Sequence, residues 1–183
     1  MIDPTPETTP EGEPVLDGTL ETIDGRLALR FERTLAFPVE RVWRAVSEPA
    51  ELARWFPAVV DWTPATGETF EAGGATLEVT EVDPPHLLAW TYAGQLQRFE
   101  LSEHEGGCRL VFTHVIDDRR LSAQTATGWQ TYLFRLDSLL AGEDLSEEEA
   151  HKQWEEIHEG YAERFDVDPE PGRQFAAALR ANL

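Results

Sequence analysis

The chain has a single cysteine, Cys108, and a single methionine, at position 1. One thiol excludes an intrachain disulfide and any thiolate metal cluster within one chain. No apolar run approaches the length of a membrane-spanning helix. The first residues lack the basic start and apolar stretch of a secretory leader, so a cytoplasmic location is expected. Cations are scarce: 15 Lys and Arg face 35 Asp and Glu, a formal net charge of -20. Such a surface repels nucleic acid and anionic lipid, so neither nucleic-acid binding nor membrane insertion is expected. Catalytic signatures are missing as well. There is no Gly-x-Ser-x-Gly, and Ser47, Ser102, Ser122, Ser138 and Ser146 fall at caps, strand ends or helix surfaces. Glu71-Ala72-Gly73-Gly74 reads as a hairpin turn, not a phosphate loop. His86, His104, His114, His151 and His158 are scattered without zinc-like spacing, and His151 with Glu155 lies on an acidic, solvated helix face. No metal, cofactor or catalytic residue is therefore expected.

What is present suffices for a core. Of 183 residues, 41% are hydrophobic, enough for one domain. Residues 1–24 are acidic and Pro-rich without Lys or Arg, and are expected to be a disordered arm in which Val15, Leu16 and Leu20 dock loosely at most. Residues 25–142 carry the domain. Leu27, Leu29 and Phe31 alternate with Ala28, Arg30 and Glu32, the period of a half-buried strand. Pro38 opens a helix with Val39, Val42, Trp43 and Val46 on one face, and Pro49 restarts a second that points Leu52, Trp55 and Phe56 inward. From Val59 to Ile116 short strands alternate with turn signals at Gly67-Glu68, Gly73-Gly74, Pro84-Pro85, Gly94 and Gly106-Gly107, spacing that demands antiparallel pairing. A long helix follows, with Ser122 as its expected cap, Trp129, Leu133, Leu136 and Leu140 on one face, and Gly142 at its end. Residues 143–183 form an acidic helical extension. Ser146 and Glu149 make a capping box, and Trp154, Ile157, Tyr161 and Phe165 repeat at helical spacing. That stripe must pack on the domain or on a second subunit, giving a homodimer. Phe175 and Leu179 suggest a last short turn.

The run Pro38-Val39-Glu40-Arg41-Val42-Trp43-Arg44-Ala45-Val46, followed by Pro49-Ala50-Glu51-Leu52-Ala53-Arg54-Trp55-Phe56, resembles the opening of the activator of heat-shock-protein-ninety ATPase homologue family, within the START-like or SRPBCC superfamily. Leu77 to Leu87, and Gly128-Trp129 with Tyr132, Leu136 and Leu139, agree with it. The resemblance spans roughly residues 25–142. It implies an α+β helix-grip fold: a curved antiparallel sheet around a long C-terminal helix, two short helices after the first strand, and a cavity between sheet and helix. It implies no single activity, since superfamily members bind lipids, hormones or polyketides and some are cyclases. The namesakes' additional chaperone-binding domain is not seen in these residues, so a co-chaperone role is a weaker expectation.

The period of two places Leu110, Phe112, His114 and Ile116 on one strand face, aiming His114 at the long helix. The same count puts Leu77, Val79 and Glu81 together, Leu88, Trp90 and Tyr92 together, and Phe99 with Leu101. Trp90, Tyr92, Phe99, Phe112, His114, Trp129, Leu133 and Glu81 are thus the expected lining of an apolar pocket of about 300–600 Å³. Its expected occupant is a small apolar or amphipathic molecule. The alternatives are a protein-interaction module presenting the Trp154 stripe, and a pocket enzyme such as a cyclase or hydrolase with His114 paired to Glu81.

Overall fold

Each alternating segment of the sequence becomes a strand of one antiparallel sheet, seen in a computed structural model that describes residues 15–181. The strands are β1 (Gly18–Ile23), β2 (Arg26–Leu35), β3 (Thr69–Ala72), β4 (Ala75–Asp83), β5 (Leu87–Tyr92), β6 (Gln95–His104) and β7 (Gly107–Ile116). They pair in the order β1-β2-β7-β6-β5-β4-β3. Two short helices, α1 (Val39–Ser47) and α2 (Pro49–Trp55), leave β2 and cover one end of the concave face. The long helix α3 (Ser122–Leu140) closes the grip, burying Ala126, Leu133 and Leu136 completely. The architecture is the expected α+β helix grip.

The first strand corrects the expected arm. Residues 1–14 lie outside those described, but residues 18–23 pair along their whole length with β2, from Gly18 opposite Phe31 to Ile23 opposite Arg26. The two short helices therefore follow the second strand, not the first. The physical reason is local. Thr19, Leu20, Thr22 and Ile23 suit a strand, and Asp24-Gly25 is a two-residue hairpin turn with both residues at positive φ, 50° and 79°. The acidic, Pro-rich composition averaged over 24 residues hid this.

The start of α3 also differs. Asp118 accepts a hydrogen bond from the Arg120 N–H at 2.9 Å and opens a 3-10 turn, Arg119–Leu121, so Ser122 is already helical and its hydroxyl is buried. Gly142 ends α3 as expected, at a φ of +80° that suits glycine.

In the extension the Ser146–Glu149 capping box forms and opens α4 (Glu147–Ala150). A 3-10 turn leads into α5 (Trp154–Phe165), whose Trp154, Ile157, Tyr161 and Phe165 are buried within this chain, with α5 packed along α3. Asp166 in the left-handed region stops α5, and α6 (Glu170–Ala181) is a full helix, longer than the turn expected from Phe175 and Leu179. The extension also fastens β1. The Tyr161 hydroxyl accepts from the Gly18 N–H at 2.7 Å and donates to Gln130 Oε1, which accepts the Asp17 N–H at 3.1 Å. Arg33 pairs with Asp17 at 2.7 Å and with Asp137 of α3.

Candidate functional site

Residues directly opposite on antiparallel strands share a face of the sheet. The registers therefore lay two rows across the concave side. In one, Phe31 faces Phe112, Phe112 faces Phe99 and Phe99 faces Leu88, all completely buried. In the adjacent row Leu29 faces His114, His114 faces Gln97 and Gln97 faces Trp90. An apolar row thus lies beside one that carries polar groups in its middle.

The rings interlock under the helices. Phe112 lies 4.7 Å from Phe99 and 4.4 Å from Trp129 of α3, centroid to centroid. Trp55 meets Phe99 edge-on at 6.2 Å and is fixed by its indole N–H on the Ala45 carbonyl at 2.7 Å. Phe56, the residue that ends α2, stands 6.0 Å from Trp90 and 5.9 Å from Trp129. Trp62 leans on Trp90 at 5.9 Å and on Phe70 at 4.5 Å, and donates to the Ser47 carbonyl.

The polar row is bonded internally. The Trp90 indole N–H donates to Gln97 Oε1 at 3.0 Å. The Trp129 indole N–H donates to His114 Nδ1 at 2.9 Å, which leaves the His114 proton on Nε2, facing Gln95 Oε1 at 3.0 Å. His114 is 6% exposed, and burial holds its pKa down to about 4 against a weaker opposing pull from Asp117. His114 is thus a neutral imidazole with both nitrogens engaged.

The neutral form implies a pH dependence. The pKa is lowered on folding, so the stabilisation is complete above the ordinary value of 6.5 and is lost as pH falls toward about 4. Replacing His114 with Gln, which does not titrate, is expected to remove roughly 3 kcal/mol of this pH dependence. Urea melts of parent and variant between pH 7 and pH 4 measure it; parallel stability curves would show that His114 titrates freely.

Of the expected lining, Trp90, Phe99, Phe112, His114, Trp129 and Leu133 are buried together between sheet and α3. Two residues are not. Glu81 is exposed on the outer face, where Arg98 binds its carboxylate at 3.2 Å. A bulge at Thr80 is the reason: Val79 faces Trp90 but Glu81 faces Ala89, so the period of two shifts by one and Val82 turns inward instead. His114 and Glu81 therefore do not meet. Tyr92 is 38% exposed, because it is the last residue of β5, next to the Ala93-Gly94 turn.

Other members of the cluster were not anticipated as lining. Gln97 and Gln95 were legible, two and four residues before Phe99 in the same alternation. Phe56 was expected to point inward from the second helix but not to join this lining, and Trp62 sits in an irregular stretch where no period assigns a direction.

The concavities described lie elsewhere. They open beside Leu16 and Gly160 (about 860 Å³), between α5 and α6 (about 520 Å³), near Arg33 and Asp137 (about 410 Å³), and between Trp43, Trp62, Val82 and Pro84 (about 350 Å³). None is lined by Trp90, Phe99, Phe112, His114, Trp129 or Leu133. Where an internal cavity was expected, rings meet rings. Among the described residues, no group of three or more His, Cys, Asp or Glu is placed to hold a metal ion, and no helix is long and apolar enough to cross a membrane.

Comparison with known proteins places this arrangement. Residues 36–141 match the family model described as activator of Hsp90 ATPase homolog 1-like protein. Among solved structures, CalU16 from Micromonospora echinospora superposes with a TM-score of 0.67 at 24% identity, over 81% of this chain and 95% of that one. Protein MLL2253 from Mesorhizobium loti gives 0.57 at 25% identity, over 64% and 99%. EF2215 from Enterococcus faecalis, a conserved protein of unknown function, gives 0.66 at 19% identity, over 81% and 90%. No curated protein matches significantly. The structural likenesses establish the shared fold and carry no activity to this chain.

Proposed function

The chain belongs to the activator of Hsp90 ATPase homolog 1-like family, and from that premise we propose that it binds a small apolar or amphipathic molecule between α3 and the concave face of the sheet. The observation that carries the reading is the pair of buried polar side chains among the rings, Gln97 bonded to the Trp90 indole and His114 bonded to the Trp129 indole, with half-buried Gln95 on the other His114 nitrogen. Bonded in this way the groups cost little and hold the core in one arrangement, and they also set polar atoms beside the rings where a ligand could use them. A few placed polar groups inside an aromatic surround are the usual composition of a small-molecule site.

The other two readings have less behind them. Acid–base chemistry would use His114, which is neutral, fully bonded and separated from Glu81. An interaction module would present the Trp154 stripe, which is instead buried within the chain.

Native mass spectrometry of freshly purified chain is expected to show a bound species of small-molecule mass. After its removal, the neutral fluorophore N-phenyl-1-naphthylamine should bind with a micromolar Kd, on the order of -8 kcal/mol. Neither a bound mass nor saturable probe binding, in a chain that melts cooperatively, would overturn the reading.

A further inference from the structure

A binding site should present space, yet here the space between β5 and α3 holds a side chain of the protein itself. The Phe56 ring stands about equally far from Trp90 of β5, at 6.0 Å, and from Trp129 of α3, at 5.9 Å. It is also edge-on to Trp55 at 5.5 Å. Phe56 is half-buried, whereas Trp55 beside it is completely buried. The ring thus stands at the mouth of the aromatic cluster, bridging sheet and helix, with one side toward solvent.

The backbone suits a side chain that leaves. Phe56 is where α2 ends: its N–H still bonds the Leu52 carbonyl at 2.8 Å, but its own dihedrals, φ -75° and ψ 148°, are extended. Its phenyl side chain makes no hydrogen bond and is held by packing, so rotation about χ1 breaks no hydrogen bond of the helix. The neighbouring rings are differently placed. The Trp55, Trp62, Trp90 and Trp129 indoles each hold a hydrogen bond to the protein that would be lost on moving.

Resting on the binding reading above, we infer that Phe56 is an internal stand-in for the ligand, and that the ligand is a flat, uncharged aromatic which takes the ring's place between Trp90 and Trp129. Flatness follows from the two facing rings, which accept a planar group edge-on or tilted. The absence of charge follows from the surround. Among the described residues no charged side chain belongs to this ring cluster, so an ionised group between Trp90 and Trp129 would be desolvated without a partner. The net charge of -20 further opposes an anion entering from solvent. The parent chain therefore binds with reduced affinity, because each ligand must first displace its own phenyl ring.

The test uses the full chain and N-phenyl-1-naphthylamine, with quenching of tryptophan emission as the readout. Phe56→Ala vacates the ring's volume and is expected to raise probe affinity at least tenfold over the parent chain. Phe56→Leu, which keeps an apolar side chain there, serves if the alanine variant fails to fold, with an expected gain of about threefold. Leu133→Ala, which enlarges the space beneath α3 without touching the mouth, should alter affinity less than Phe56→Ala does. Equal affinity in parent and folded Phe56 variants, with a gain only in Leu133→Ala, would overturn the stand-in and leave the binding reading intact. Absence of saturable binding in every folded chain would overturn both.

Discussion

A chain that begins at Gly25 is expected to melt about 10 °C below one that begins at Val15. The shorter chain loses β1 and its complete ladder to β2. It also removes partners of Tyr161, Gln130 and Arg33, and the Leu16 and Gly18 carbonyls that Arg164 binds. The Tyr161 hydroxyl loses the Gly18 N–H, the Gln130 amide loses the Asp17 N–H and the Val15 carbonyl, and Arg33 loses the Asp17 carboxylate. The Gln130 Nε2 donor is left without its partner, at a cost of about 1–3 kcal/mol, while Tyr161 and Gln130 keep each other and Arg33 keeps Asp137. Leu16 and Leu20, both half-buried against the core, add apolar area. A total of about 3–5 kcal/mol corresponds to roughly 10 °C in a chain of this size. The Val15 chain keeps every described contact of β1 and is the proper reference. Differential scanning calorimetry of the two decides it; a difference under 2 °C would mean that β1 is an ornament on a sheet already complete at β2.

The same strand shows where sequence reading runs out. Leu27 to Leu35 was legible from its alternation, Leu87 to Tyr92 and Cys108 to Ile116 as short apolar, β-branched and aromatic runs between turn residues, and α1, α3 and α5 because their apolar positions recur at helical spacing. Residues 18–23 carry strand-forming Thr19, Leu20, Thr22 and Ile23 and end in Asp24-Gly25, a strong hairpin signal, but they sit beside a Pro-rich acidic stretch that dominates any average over the segment. Turn chemistry and averaged composition disagreed there, and the local signal was the physically relevant one.

The candidate site divides along a similar line. Trp90, Phe99, Phe112 and His114 were placed correctly by counting in twos along unbroken strands. Glu81 was misplaced because one extra residue at Thr80 inverts every later side chain of β4, and nothing in Val79-Thr80-Glu81 marks a bulge. Phe56 shows a further limit: its inward direction was legible on α2, but its position between Trp90 and Trp129 depends on where that helix ends over the sheet, a tertiary relation that no pattern encodes.

The C-terminal extension carries the second large effect. Trp154→Ala is expected to destabilise the chain by about 3–5 kcal/mol, the usual cost of removing a large buried ring without collapse of the space it leaves. Trp154 is 6% exposed, stacks on His158 at 5.0 Å with the rings nearly parallel, and supports Phe175 of α6 at 5.9 Å. Collapse into the gap is opposed from the other side, because His158 is itself wedged under α6: a Cβ on Gly172 would lie 1.9 Å from its Nε2. Loosening this corner also weakens the seat of Tyr161, two turns along α5, and so the anchor of β1. The variant should therefore unfold in a single transition at lower urea, not shed α6 alone. Leu179→Ala is the control, since that side chain is 45% exposed and should shift stability by no more than about 0.5 kcal/mol. Urea melts read the stability, and light scattering reads the mass. An unchanged midpoint for Trp154→Ala would contradict its burial, and a fall in mass would mean that the stripe also joins two copies of the chain.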